Sequence, residues 1–164
     1  MIVVSDTSPL TNLVAIGQFN LLKKLYSTIR LAEGVWEELN AQGKHWPGRE
    51  EVAKSDWVKR YEVKNQKLVN ALRQDLDRGE AESIVLSLEL NADLIILDEK
   101  EGRHTAQRFD LEVVGVIGAL LEAKSKGFIS NIRPHLDELR DIAGFYVKES
   151  LYQSILNLAG ELKR

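Results

Sequence analysis

Residues 79–98, GEAESIVLSLELNADLIILD, decide how this chain folds. The first half predicts a helix over 79–90, because Ala81, Ile84, Val85 and Leu88 recur at the spacing of one buried helical face. The second half is an unbroken apolar run, Leu94-Ile95-Ile96-Leu97, closed by Asp98. A run this short and rich in branched residues predicts a strand buried on both faces, the form parallel strands take. The chain opens on the same pattern, Ile2-Val3-Val4-Ser5-Asp6. In an open α/β sheet, ligands bind just beyond the carboxyl ends of the strands. Two strand-end carboxylates then face one crevice. Like charges held close are costly unless a cation or a proton sits between them, so a divalent-metal site is the first expectation.

Outward from these two strands, elements alternate. Ser8 is read as an N-cap with Pro9 at the first helical position, and Gly17 as the end of that helix. A helix is predicted over 19–26, a strand over 28–32, a short helix over 34–41 and a loop over 42–48. Residues 50–55 read as helical, 57–63 as an edge strand and 65–72 as a helix, before Asp77-Arg78-Gly79 breaks the pattern. After Asp98 come a polar helix over 99–109, a strand over 112–116, a helix over 119–126 and helical segments over 134–140 and 149–163. Strands alternating with helices predict a single α/β domain spanning 1–164, with a parallel sheet flanked by helices. Residues 128–164 form a helical C-terminal extension in this reading, packed on the sheet or on a partner.

The bulk composition narrows the chemistry. At 164 residues, 44% hydrophobic and 29% charged, the chain is ordinary for a globular domain with a core. Its net charge of −3 carries no basic excess of the nucleic-acid-binding kind, although an enzyme can hold phosphate locally through metal. Without cysteine it has no disulfide, no thiol nucleophile and no thiolate metal site. No apolar stretch approaches ~18 residues and no signal sequence opens the chain, so a cytoplasmic location and no membrane are expected. His45, His104 and His135 are scattered without ligand spacing and read as surface residues. Trp36, Trp46 and Trp57 read as packing residues, with Trp46 in a loop where it could stack a base. Lys100, Arg103 and Arg108 share the helix after Asp98, either as solvated charges or as a phosphate-facing patch.

Each candidate acid has an ordinary structural explanation. Asp6 can start a turn, Asp98 can cap the helix after it, and Glu80 and Glu82 can favour a helix dipole from its first turn. Glu80 and Glu82 both flank the apolar stripe, so periodicity does not choose between them. In the helix over 34–41, Val35 and Leu39 mark the buried side, and Glu38 lies nearer that side than Glu37.

Taken together and in order, these stretches resemble PIN-domain proteins. VVSDTSPLTNLVAIGQFNLLKKLY resembles the PIN opening, and GVWEEL, LDRGEAESIVLSLELNADLIILDEKEGR and VVGVIGALLEAKSKGFI resemble a PIN-like branch related to VapC toxins. The similarity covers nearly the whole chain, and GEAESI followed by LIILDEKEGR is its most specific part. It implies a parallel sheet flanked by helices, with acids gathered around one or two Mg2+ or Mn2+ ions. By position those acids are Asp6, Glu38, Glu80 and Asp98, with the third slot open between Glu80 and Glu82. Ser8 and Arg103 match hydroxyl and basic positions implied to touch substrate. The implied activity is metal-dependent hydrolysis of RNA phosphodiesters by a toxin of a VapBC-type toxin–antitoxin pair. A small antitoxin partner and a homodimer are implied with it. The alternative is a PIN-like scaffold or binding protein without catalysis. A phosphohydrolase of the haloacid dehalogenase type would need a second aspartate two residues after the first, where this chain has Ser8.

Overall fold

The strands of the computed structural model, which describes residues 1–41 and 48–162, form one five-stranded parallel sheet. In chain order the elements are β1 (Val3–Ser5), α1 (Thr7–Ala15), α2 (Asn20–Tyr26), β2 (Ile29–Ala32) and α3 (Glu33–Leu39). Then come α4 (Arg49–Lys54), β3 (Val58–Tyr61), α5 (Gln66–Leu72), α6 (Arg78–Glu89) and β4 (Leu94–Ile96). The chain continues through α7 (Lys100–Arg108), β5 (Val113–Val114), α8 (Val116–Ser125), α9 (Arg133–Asp141) and α10 (Glu149–Leu158). The α/β architecture expected from the sequence is the one found. The 42–48 loop lies outside the described residues except for Gly48, and His45 and Trp46 lie outside them altogether.

The strand order is β3-β2-β1-β4-β5. β1 is therefore central, with Val4 in register with Arg30 on one side and with Ile95 on the other. The chain builds outward from β1 to β3, then returns to β1's other side with β4. The order reverses between β1 and β4, and such a reversal opens a crevice at the carboxyl ends of the two strands. Asp6 and Asp98 follow those ends.

Alternation along the strands sorts side chains into two cores. Val3, Ile29, Leu31 and Ile96 face one side, where α1, α2, α8 and the C-terminal α9 and α10 pack through Leu10, Leu22, Leu120, Leu136 and Leu156. Val4, Ala32, Ile95 and Leu97 face the other, beneath α5, α6 and α7. Burial on both faces explains why the strands read as continuous apolar runs. β3 lies at the sheet edge, as expected for 57–63, and its Lys59 and Arg60 are exposed.

Several helix boundaries differ from the sequence reading. α1 starts at Thr7 with Asp6 as its N-cap, two residues before the predicted proline start, so Ser8 is not the cap. Pro9 fits there because the first helical turn has no intrahelical partners for its N–H groups. α8 starts at Val116 with Gly115 as N-cap, three residues before its predicted start. α10 ends at Leu158, short of its predicted end, and Gly160 follows at φ +73. The helical extension packs onto the domain through Glu161, which accepts from Lys124 Nζ at 2.7 Å and from the N–H groups of Ile132 at 2.7 Å and Arg133 at 3.1 Å. No helix among the described residues is long and apolar enough to cross a membrane.

Candidate active site

A cavity of about 250 Å³ opens at the carboxyl end of β1, lined by Asp6, Thr7, Ser8, Thr11, Glu38, Asp77, Glu80 and Glu99. Five of these are carboxylates, three carry hydroxyls and none is basic. Asp6 arrives from β1, Glu38 from α3, Asp77 and Glu80 from the start of α6, and Glu99 from the residue before α7. Thus the sheet brings together acids spread over most of the chain.

Asp6 is 5% exposed and its backbone N–H donates to Ile96 O at 3.0 Å, so β4 fixes its place. Burial raises its carboxyl well above the usual range; the Thr7 N–H opposes this, and the charges of Asp77, Glu80 and Glu38 add to it. Glu38 is oriented by the Thr7 hydroxyl, which donates to its Oε2 at 2.8 Å. Glu37, its neighbour, turns outward and pairs with Arg78. Of the two, Glu38 is the one that lines the cavity.

Glu80 and Asp77 form a capping box. Asp77 Oδ1 accepts from Glu80 N at 2.8 Å, and Glu80 Oε1 accepts from Asp77 N at 3.1 Å. These bonds satisfy two N–H groups at the start of α6 and hold both side chains at the cavity wall. Burial raises Glu80 to about 7; the Asp77 N–H opposes this, and the charges of Asp77 and Glu99 reinforce it. Glu82 goes elsewhere: it is 1% exposed and accepts from Gly34 N at 3.1 Å and Arg78 Nε at 2.6 Å. It lines a separate polar depression with Arg60 and Arg78.

Gly79 makes the convergence possible. A Cβ at this position would lie 3.1 Å from Glu38 Oε2, 3.2 Å from Asp6 Oδ1 and 3.5 Å from Asp77 Oδ1. Oxygens of Asp6, Glu38 and Asp77 thus border the space beside Gly79 that only a residue without a side chain leaves open.

Asp98 and Arg103 stand apart from this group. Asp98 Oδ1 accepts from Val116 N at 3.0 Å, so it caps the first turn of α8 and not the helix that follows it. Its Oδ2 is buried without a hydrogen-bond partner. Burial raises Asp98 to about 6, against the Val116 N–H and the nearby Arg103, while Glu99 pushes it further up. Arg103 Nη1 donates to Leu97 O at 2.9 Å. Asp98, expected from its strand end to share the crevice, is not among the residues lining the cavity. Ser8 lines it.

Gly115 guards the Asp98 position, since a Cβ there would fall 2.5 Å from Asp98 Oδ1 and 3.0 Å from Arg103 Nη1. Gly115→Ala is expected to cost about 1–3 kcal/mol of stability through overpacking. Thermal melting checks this, and an unchanged midpoint would show that Asp98 is free to move.

The sequence reading missed Asp77, Thr7, Thr11 and Glu99. Asp77-x-x-Glu80 is the capping-box spacing, a signal that was available. Thr7 and Glu99 adjoin expected acids but carry no spacing of their own. Chemically, the lining offers only oxygen ligands, which suit a hard divalent cation. Among the described residues, no three histidine or acidic side chains already enclose a single point as a finished metal cage.

A family model described as PIN domain matches residues 2–161. No curated protein matches the chain in sequence.

Proposed function

This chain belongs to the PIN-domain family, whose fold is of the nuclease type, and from that premise we propose that it is a Mg2+- or Mn2+-dependent endoribonuclease. We assign it to the toxin role of a VapBC-type pair, acting as a homodimer and restrained by a small antitoxin protein. The observation that carries the catalytic part is the cavity wall of five carboxylates with no basic side chain among them. Such an excess of negative charge is stable only with bound protons or with a cation.

The residues fit a hard cation in ligand type and in charge. Asp6 and Glu38, converging at Gly79, are the pair that would hold it, with Glu80 beside them and Asp98 joining by turning its unpartnered Oδ2 inward. When bound, such an ion neutralises charge on a phosphoryl oxygen and lowers the pKa of water. The chain's own groups do the rest. The Thr7 hydroxyl fixes the Glu38 carboxylate. Glu80, whose carboxyl burial raises in the metal-free site, stands at the cavity wall where it can hold or move a proton. Ser8 offers a hydroxyl to a phosphate or a carboxylate at the same wall, and Arg103 contacts the RNA backbone.

The orientation of Asp98 toward α8 favours the second reading, a PIN-like binding scaffold without cleavage. Calorimetric Mn2+ titration separates the two. The nuclease reading expects saturable binding and Mn2+-dependent cleavage of single-stranded RNA. Absence of both with chain-length RNA present supports the scaffold.

A further inference from the structure

Outside the cavity, α3 and α6 meet through a reciprocal pair of glycine–carboxylate contacts. On the cavity side, Gly79 of α6 faces Glu38 of α3. On the far side, Gly34 of α3 faces Glu82 of α6: a Cβ on Gly34 would lie 3.0 Å from Glu82 Oε2 and 3.2 Å from Arg78 Cγ. Glu82 is buried in place, with Oε1 accepting the Gly34 N–H at 3.1 Å and Oε2 accepting Arg78 Nε at 2.6 Å. Arg78 then reaches across to pair with Glu37 on α3. One guanidinium thereby ties a carboxylate of each helix, a geometry its rigid fork supplies and lysine does not.

We infer that Arg78 and Glu82 are positioning residues that lock α3 onto α6, so that Glu38, adjacent to Glu37, falls beside Asp6 at the cavity wall. The inference rests on the nuclease reading for its consequence, because Glu38 placement matters to cation binding only if the cavity takes a cation. The clamp's own hydrogen bonds run to Gly34, Glu82 and Glu37 and to none of the five lining carboxylates, although Arg78 and Glu37 border a shallow depression with Glu38 and Asp77.

Charge and position make opposite demands here, which gives the test its sign. Removing the Arg78 cation near an acidic cavity strengthens the attraction of that cavity for Mn2+ if only long-range electrostatics operate. It weakens Mn2+ binding if Glu38 loses its place. The first variant is Arg78→Met, which keeps an apolar stem over Gly34. The second is Gly34→Ala, which changes no charge, favours helix by its own propensity and pushes against a Glu82 side chain locked by two bonds.

Calorimetry on folded protein, confirmed by circular dichroism, is expected to show a Mn2+ Kd about tenfold weaker in both variants. Arg78→Lys is expected to recover part of it. An unchanged or tighter Kd in Arg78→Met, or an unchanged Kd in Gly34→Ala, overturns the inference.

A metal-free readout separates this from the fate of the nuclease reading. Nuclear Overhauser contacts between the Thr7 methyl and the Glu38 side chain are expected in wild type and weakened in both variants. If those contacts persist in the variants, the clamp does not position Glu38, whether or not Mn2+ binds. If they weaken as expected while wild type binds no Mn2+, the clamp stands and the nuclease reading falls.

Discussion

On the nuclease reading, Asp6→Asn is expected to lower metal-dependent RNA cleavage by more than about 100-fold, since even residues one shell behind a metal ligand cost 10–100-fold. The same substitution raises the melting temperature of the metal-free protein at neutral pH. Both results come from one fact: Asp6 is buried among Asp77, Glu80 and Glu38, and burial raises its carboxyl well above the usual range. An ionised carboxylate there is a liability to folding that only a bound cation offsets. Asparagine removes the liability and the ligand together. Asp98→Asn is expected to abolish activity too. Its amide oxygen can still accept from Val116 N, so the fold survives. Full activity in either variant, measured on the same RNA with Mn2+, would remove that residue from the catalytic assignment.

The metal-free protein is expected to lose stability as pH rises from about 4 to about 7, contrary to the usual acid denaturation of proteins. Glu80 sits at about 7 and Asp98 at about 6 in the folded chain, and Asp6 is raised as well. In the unfolded chain these groups ionise near the ordinary carboxylate range. A raised folded value means the folded state holds its protons more tightly. Its stabilising contribution is complete below the unfolded pKa and is lost as pH passes up through the folded values. The window is therefore between the ordinary carboxylate range and about neutrality. Saturating Mn2+ is expected to restore the melting temperature most strongly at the upper end, because binding to the folded form alone adds stability by mass action. Scanning calorimetry with and without Mn2+ reads both effects. A metal-free melting temperature that climbs steadily over this range would contradict the crowded, desolvated acids described above.

The elements that were readable from sequence are those whose signal is local and repeated. Helix α6 declared itself through Ala81, Ile84, Val85 and Leu88, and β1 and β4 through unbroken apolar runs, because two-sided burial leaves no polar face to confuse the pattern. The choice of Glu38 over Glu37 was also local, since Val35 and Leu39 fix which side of α3 is inward. For Glu80 the capping-box spacing from Asp77 was a local signal, but the place taken by Glu82 had none. It depends on Gly34, which lies 48 residues from Glu82 and offers Glu82 a backbone N–H on the far side of the helix. The hydrogen bond that turns Asp98 toward α8 was hidden for a similar reason. Its donor, Val116 N, belongs to a helix whose start lay three residues earlier than its pattern predicted. A carboxylate at a strand end looks the same in sequence whether it faces a crevice or caps a distant helix.

The capping box also accounts for the acid at position 80 being glutamate. Its carboxylate must reach back to Asp77 N, a span the capping box makes with glutamate or glutamine. An aspartate would line the cavity at the cost of the helix start.

The central position of β1 bears on how the protein is made. Of β1's two neighbours, β4 is separated from it by more than half of the chain. Pairings of such long sequence separation form late, after the local helices. Asp6 is synthesised well before the capping box that brings Glu80, and before its anchor, Ile96 O, which comes last of the three. A nascent or prematurely terminated product ending before β4 therefore carries the first acid without an assembled cavity around it. A chain whose completed site cuts RNA would stay harmless to its own message until synthesis had passed that point.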